Sequence, residues 1–229
     1  VRDERPGDHV PVVRAHGPLP ALPEAGMSAL PGLAPPASLL LPAPVWGIDP
    51  STKRMAFASL TPTFEYPGTE ERPIGAYPPI LRWATVSLPT HPAPHVKLAA
   101  WAGRIGHFVE ACRDEWGVPA LVAIEQPFST GHKTEPMSYM ALAALLVALG
   151  LRVPDAEVCL IPPQTWKAKA TGSGYAPGLP RDASKTARRR AEKARLMEWA
   201  RAAGYAGQSE DEADACGIAT AAGVILEGR

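Results

Sequence analysis

The chain has 229 residues, and its 23 Lys and Arg balance 23 Asp and Glu, so the formal net charge is zero. Apolar residues make up 46% and charged ones 20%, ordinary for a soluble globular protein of one domain with a sizeable core. No global charge excess announces a partner, but charge is unevenly placed: Gln164 to Arg201 holds ten Lys/Arg against three Asp/Glu, a local net of +7. That segment implies an acidic partner.

Cys112, Cys159 and Cys216 lie far apart in apolar stretches, with no CxxC pair or Cys/His cluster. This argues against a zinc site and for three buried thiols in a reducing cytoplasm. The longest apolar run, Met140–Leu149, is too short to span a bilayer, and prolines interrupt any signal-peptide-like stretch at the N-terminus. The expectation is a cytoplasmic protein with no membrane partner.

Residues 1–44 are rich in Pro, Ala, Leu and Gly without any period. Dense proline forbids helix and sheet ladders, so this segment is read as a disordered arm, with an extended strap across the domain as the alternative. Composition changes at Val45, and a single α/β domain is assigned to 45–229. Val45–Asp49 reads as a short buried strand. Met55–Leu60 and Leu81–Leu88 read as two more, joined by a Pro/Gly-rich excursion at 61–80. No helix separates these three strands, which predicts an antiparallel meander. His95–Trp116 is an amphipathic helix, with Leu98, Trp101, Ile105, Val109, Cys112 and Trp116 on its apolar side and Gly117 as its stop. Ala120–Glu125 has the continuous apolar run of a central strand. Glu135–Leu149 is a helix apolar nearly all round, and Glu157–Ile161 is a fifth strand. Helices over 163–170, 182–203 and 211–226 follow, the first two separated by a Gly/Pro-rich loop. The sum is a five-stranded mixed sheet flanked by helices.

Acidic residues stand at the ends of strongly apolar elements: Asp49 in GIDPS, Glu125 in AIEQPF, and Asp211 with Asp214 opening the last helix. An unpaired carboxylate in such a place costs several kcal/mol or becomes protonated. A shared divalent cation removes that cost, and oxygen ligands without Cys or His suit Mg²⁺ or Mn²⁺. Four carboxylates can hold two such ions about 4 Å apart, an arrangement suited to phosphoryl transfer. Blander readings exist for each motif alone. A DxxD near a helix start is often a cap or a match to the helix dipole, and an Asp before Pro is often a turn residue. The three motifs in order around one sheet are harder to explain that way.

GIDPS, AIEQPF and DEADACGIA, in that order, resemble the RuvC Holliday-junction resolvases of the RNase H-like nuclease superfamily, over about residues 45–226. The resemblance implies the RNase H-like fold, with metal ligands at Asp49, Glu125, Asp211 and Asp214. It also implies a homodimer acting on four-way DNA junctions with Mg²⁺ or Mn²⁺, two ions per active site and no small-molecule cofactor. The expected reaction is paired symmetric nicking that leaves 5′-phosphate and 3′-hydroxyl ends. Pro163-Gln164-Thr165-Trp166-Lys167 followed by Thr171-Gly172-Ser173-Gly174 looks like the family's Lys-bearing segment. Lys167 is then the catalytic lysine, with Lys169 as the alternate. Phe128 matches an aromatic that in the family stacks on unpaired bases; a core anchor is the competing reading.

The chain departs from the family in its arm, in the excursion at 61–80, in a longer loop at 172–182 and in the proline after Glu125-Gln126. The arm suggests a phage or otherwise divergent member, acting in a bacterial cell or an infected host. The basic helix near 182–203 is the candidate for phosphate contacts, through Lys185, Arg188, Arg189, Lys193 and Arg195. Ala187, Ala191, Ala194 and Met197 are expected to form its narrow apolar side. His132 and Lys133 are placed on the same DNA-binding surface. The apolar girth of 135–149 predicts a second protomer on its outer side, with burial beneath the arm as the alternative.

Three rival functions are carried forward. GIDPSTKRMAF also looks like the phosphate loop of actin-like and sugar-kinase ATPases, but those need two domains and a glycine-rich adenosine site, neither of which is found. A non-catalytic junction-binding protein would normally lack a carboxylate of the set, and all are present. Another nuclease of the superfamily, acting on flaps, other branched DNA or RNA–DNA hybrids, is the nearest alternative.

Overall fold

A computed structural model describes residues 41, 43–61, 80–127, 135–172 and 184–228. Its elements, in chain order, are β1 (Val45–Asp49), β2 (Arg54–Thr61), β3 (Ile80–Ser87), α1 (Pro94–Trp116), β4 (Leu121–Glu125), α2 (Glu135–Arg152), β5 (Glu157–Ile161), α3 (Pro163–Thr171), α4 (Lys185–Ala202) and α5 (Glu210–Glu227). The five strands form one sheet in the order β3-β2-β1-β4-β5. β1 pairs antiparallel with β2, and β2 with β3. β1–β4 and β4–β5 are parallel. This is the mixed sheet expected from the sequence, with its antiparallel meander and an interior β4.

Strand alternation sorts side chains to two faces. Trp46 and Ile48 of β1 and Val122 and Ile124 of β4 meet α1 and α2 in a core rich in aromatic rings. Val45 of β1 with Leu121 and Ala123 of β4 face α5, along with Trp166 of α3 and Trp199 of α4. Leu41 is buried in this second core, and the Pro44 carbonyl accepts a 2.9 Å hydrogen bond from the Ala120 amide. The packed body thus begins a few residues ahead of Val45.

α5 lies unusually close to β1. A Cβ on Gly47 would stand 2.1 Å from the Ala219 amide nitrogen and 2.4 Å from the Ala215 carbonyl oxygen, distances no side chain tolerates. Gly47 is therefore there for close approach of two backbones. Local signals end the helices as read. Gly117 (φ 87°) closes α1 with its amide on the Arg113 carbonyl at 2.9 Å, and Gly172 closes α3 in the left-handed region. Ser184 and Ser209 cap α4 and α5.

Three sequence expectations need correction. Leu98 is 37% exposed on α1, whereas Phe108, not assigned to the apolar side, is buried. Of the apolar side expected on α4, Met197 packs partly buried against the core beside Leu196, Trp199 and Ala200, whereas Ala187 and Ala194 are exposed, because only the C-terminal turns of α4 dock. Cys159 is half-buried rather than buried, because β5 is an edge strand. Among the described residues, no helix is long and apolar enough to cross a membrane.

Candidate active site

Asp49 and Glu125 close two neighbouring parallel strands, one residue beyond the Ile48–Ile124 pair. Their backbones are thus about 4.8 Å apart. Both share the parity of the residues facing α5. Because Gly47 brings α5 down onto β1, the helix start comes over the same end of the sheet and adds Asp211 and Asp214. The charges of Glu125, Asp214 and Asp211 all act on Asp49, so the four acids predicted from the sequence form one electrostatic cluster.

They are not equivalent. Burial, followed by the charges of Glu125, Asp214 and Asp211, holds the Asp49 carboxyl well above the usual carboxylate range. Burial and then the Glu125 charge push Asp214 up to about 7, against the opposing pull of Lys167 and Lys193. Among the described residues, neither the Asp49 nor the Asp214 carboxyl group has a hydrogen bond or ion pair. Glu125 is raised by burial, opposed by the Trp166 indole and by Lys167. Its Oε2 accepts a hydrogen bond from Trp166 Nε1 at 2.8 Å.

The first turn of α5 carries Glu210, Asp211 and Glu212, each met by a different element. Lys193 of α4 pairs with Glu210. Arg54 at the start of β2 donates to both Asp211 Oδ2 and Ser209 Oγ at 3.0 Å. The Tyr205 hydroxyl is 2.7 Å from Glu212 Oε2, and its ring stacks edge-on against Trp83. Ser209 performs the capping, so the DxxD motif is not the cap, while Asp211 in the first turn does match the helix dipole. Asp214, one turn further in, lies among buried Ala213, Ala215 and Cys216.

Among the described residues, no group of three or more His, Cys, Asp or Glu side chains is gathered closely enough to hold a metal ion. The partners differ from acid to acid: Arg54 holds Asp211, Trp166 holds one oxygen of Glu125, and the like charges of Glu125, Asp214 and Asp211 act against Asp49. The donor set nonetheless fits a hard divalent cation: oxygen ligands only, two of them half-buried and without a side-chain partner among the described residues.

Lys167 is half-buried, and its charge lowers the pKa of Asp49, Glu125 and Asp214. Lys169 is exposed in the last turn of α3 and acts on none of these carboxyls. Of the two, Lys167, the first choice of the sequence reading, is the one whose charge reaches the acids. Lys185, Arg188 and Arg189 are exposed on α4. Thr186, Arg189, Arg190, Lys193, Met197 and Glu210 line an open groove where α4 meets the start of α5. Phe128, His132 and Lys133 lie outside the described residues. Sequence reasoning missed Arg54, Tyr205 and the aim of Trp166. Arg54 and Trp166 sit inside the motifs it quoted, but their partners lie far along the chain.

No family model and no curated protein matches this chain. Among solved structures it is similar to Thermus thermophilus RuvC, at 22% identity with a TM-score of 0.54 over 81% of this chain and 96% of that one. T. thermophilus RuvC in complex with a Holliday junction substrate gives 20% identity and a TM-score of 0.49 over 78% and 91%. The yeast mitochondrial Holliday junction resolvase gives 15% and 0.42 over 78% and 77%. Strand order, the meander and the first of these likenesses agree: this chain has the RNase H-like fold of RuvC.

Proposed function

We propose that the chain is a metal-dependent endonuclease that resolves four-way (Holliday) DNA junctions by paired symmetric nicks, leaving 5′-phosphate and 3′-hydroxyl ends. The observation that carries this reading is that the charges of Glu125, Asp214 and Asp211 all act on Asp49 at one end of the sheet, where Asp49 and Asp214 have no side-chain partner among the described residues. The likeness of the three sequence motifs to the resolvases supports the substrate.

Asp49, Glu125, Asp211 and Asp214 would hold Mg²⁺ or Mn²⁺, two ions by the number of carboxylates. Such ions supply an activated water and stabilise the oxygen leaving phosphorus. Binding requires the raised acids to release their protons and Asp211 to leave Arg54. Lys167 sets its ammonium beside the same acids and offsets negative charge on the phosphate under attack. Lys185, Arg188, Arg189 and Lys193 line the path of the DNA backbone, with Lys169 extending it from α3. These contacts neutralise phosphates without reading bases, so binding weakens steeply with salt. Phe128, His132 and Lys133 join the DNA-binding set on the sequence resemblance alone.

A second copy of the chain completes a two-fold-symmetric machine for a two-fold-symmetric junction. Its seat is the outer side of α2, where Tyr139, Leu146, Val147 and Leu151 are exposed, Leu151 by 74%. Val158 and Leu160 of β5 lie exposed on the same face of the sheet. Leu151→Glu is expected to convert a dimer to monomers in sedimentation velocity without changing the fold.

The central test uses purified protein with Mg²⁺ on four-way, three-way, flap and linear DNA and on RNA–DNA hybrid, with product ends mapped. Nicking of the four-way junction is expected to fall about a thousandfold or more in Asp49→Asn and Asp214→Asn, while junction binding persists. Full activity in either variant removes the proposed centre. Preference for flaps or hybrids transfers the chemistry to another RNase H-like nuclease. The Arg54–Asp211 pair favours one further reading, a non-catalytic junction binder; tight binding without any cleavage would decide for it.

A further inference from the structure

We propose that Trp166 is a positioning residue for Glu125, an inference that rests on the metal-nuclease reading above. The indole is fully buried in the α5-side core, yet its one polar atom is not spent on backbone. Nε1–H donates to Glu125 Oε2 at 2.8 Å, joining α3 to the end of β4 across 41 residues of sequence. An indole N–H is a donor only. It therefore fixes one oxygen of the carboxyl group as an acceptor and leaves the other to a cation. Among the described residues that other oxygen has no hydrogen bond.

The seat of the indole is made to measure. A Cβ on Gly217 would stand 2.5 Å from Trp166 Cζ3 and 3.0 Å from Cε3. The glycine of DEADACGIA thus gives the ring its place against α5, one turn beyond Asp214. The Lys167 ammonium lies over the same ring, 5.4 Å from its centroid. One side chain thereby touches three parts of the site: it bonds Glu125, carries Lys167 on its face, and abuts the helix of Asp211 and Asp214. Groups that hold a ligand's second atom commonly change metal affinity by about 10- to 100-fold.

A buried tryptophan also fills space, and the test must separate that role. Mn²⁺ binding to the full chain is measured by calorimetry in wild type, Asp49→Asn, Trp166→Phe, Glu125→Gln and the Trp166/Glu125 double variant. Phe keeps most of the packing and lacks the N–H. The expected result is about tenfold weaker binding in Trp166→Phe, and no further loss from that change once Glu125 is already Gln. Equal losses in both backgrounds mean the ring acts by packing, and unchanged affinity means it does nothing for the cation; either overturns the proposal. A second measurement needs no Trp166 variant. Of the six tryptophans, one indole N–H resonance should move on Glu125→Gln substitution and the same one should move as Mg²⁺ is added to wild type. If calorimetry shows binding and that resonance stays still, the proposal is overturned. Failure of the metal reading looks different: wild type takes up no Mn²⁺, or Asp49→Asn takes up as much, and the proposal falls with it.

Discussion

The face of the sheet beneath α1 and α2 is packed by volume, and the face beneath α5 by proximity. On the first, Trp46 meets Trp116 edge-on at 6.0 Å between ring centroids and Phe57 meets Phe108 at 5.0 Å. On the second, Gly47, Ala56, Ala58 and Ala123 of the strands oppose Ala215, Ala219 and Ala222 of α5. Small residues bury less apolar area per position and gain less from it. What they permit is a short distance between backbones. A carboxylate on a strand end has a reach of one or two bonds beyond Cβ. It can share a cation with carboxylates on a crossing helix only if nothing bulky lifts that helix away. The acids lie on the proximity face because the other face could not bring them together.

Breaking this contrast gives the largest expected effect. Gly47→Val places branched carbon against the α5 backbone, where a neighbour cannot rotate aside. A loss of about 3 kcal/mol or more in urea unfolding is expected, together with loss of Mn²⁺ binding, because α5 must lift. Phe108→Leu on the opposite face removes ring volume where side chains can partly collapse. It should cost about 1–2 kcal/mol and leave junction nicking at the wild-type rate. Wild-type stability in Gly47→Val would break the account of close approach, and lost nicking in Phe108→Leu would break the division of labour between the faces.

The same contrast explains what the sequence did and did not reveal. Strands read correctly because each is a compact apolar run, and those of β1 and β4 stop at an acid. Most helix ends read correctly because Gly117, Gly172 and Pro163 act locally. α4 was misread because a line of alanines in a charged helix mimics an apolar side, whereas docking is decided by Leu196 and Trp199 further along. The acids were legible as a set, since carboxylates at the ends of apolar elements are conspicuous. Their inequality was not. Arg54 lies 157 residues from Asp211, and no local pattern says which acid an arginine will meet. Gly47 read only as a member of the first strand, and its service to α5 was not visible.

A smaller effect sharpens the electrostatic side of the comparison. Asp214 is raised to about 7 in the folded chain, against an ordinary value of 3.8. Between those values the unfolded chain has released the proton and the folded chain keeps it. Stability without metal is therefore full at low pH and declines as pH rises from about 4 to 7. Asp49 and Glu125, raised in the same direction, add to the decline. In chelator, a clear fall in Tm over that window is expected, at about 2–4 °C for each kcal/mol lost by a domain of this size. Asp214→Asn should flatten the fall and make the metal-free protein more stable than wild type at pH 7. Saturating Mg²⁺ should flatten it in wild type. A Tm that rises over the window would contradict the buried, unpaired state of these acids.

The smallest effect concerns Arg54, among the described residues the one cation bonded directly to an acid of the cluster. Its pair with Asp211 is partly exposed, with side chains 45% and 39% accessible, so its contribution to stability is slight, ~1 kcal/mol or less. Its consequence for the site is larger than its energy suggests. On the proposed reading, Asp211 gives up this partner to join Asp49, Glu125 and Asp214 around a cation, and the freed guanidinium becomes available to a DNA phosphate. Arg54→Gln should leave Tm within a degree or two of wild type and tighten Mn²⁺ binding by about three- to fivefold, the equivalent of up to ~1 kcal/mol. Junction affinity at low salt should fall as one phosphate contact is lost, with a correspondingly shallower dependence on salt. Tighter metal binding with unchanged salt dependence would keep Arg54 as a counter-ion of Asp211 and deny it the DNA. Weaker metal binding would reverse the assignment and make the arginine a support that holds Asp211 ready for the cation.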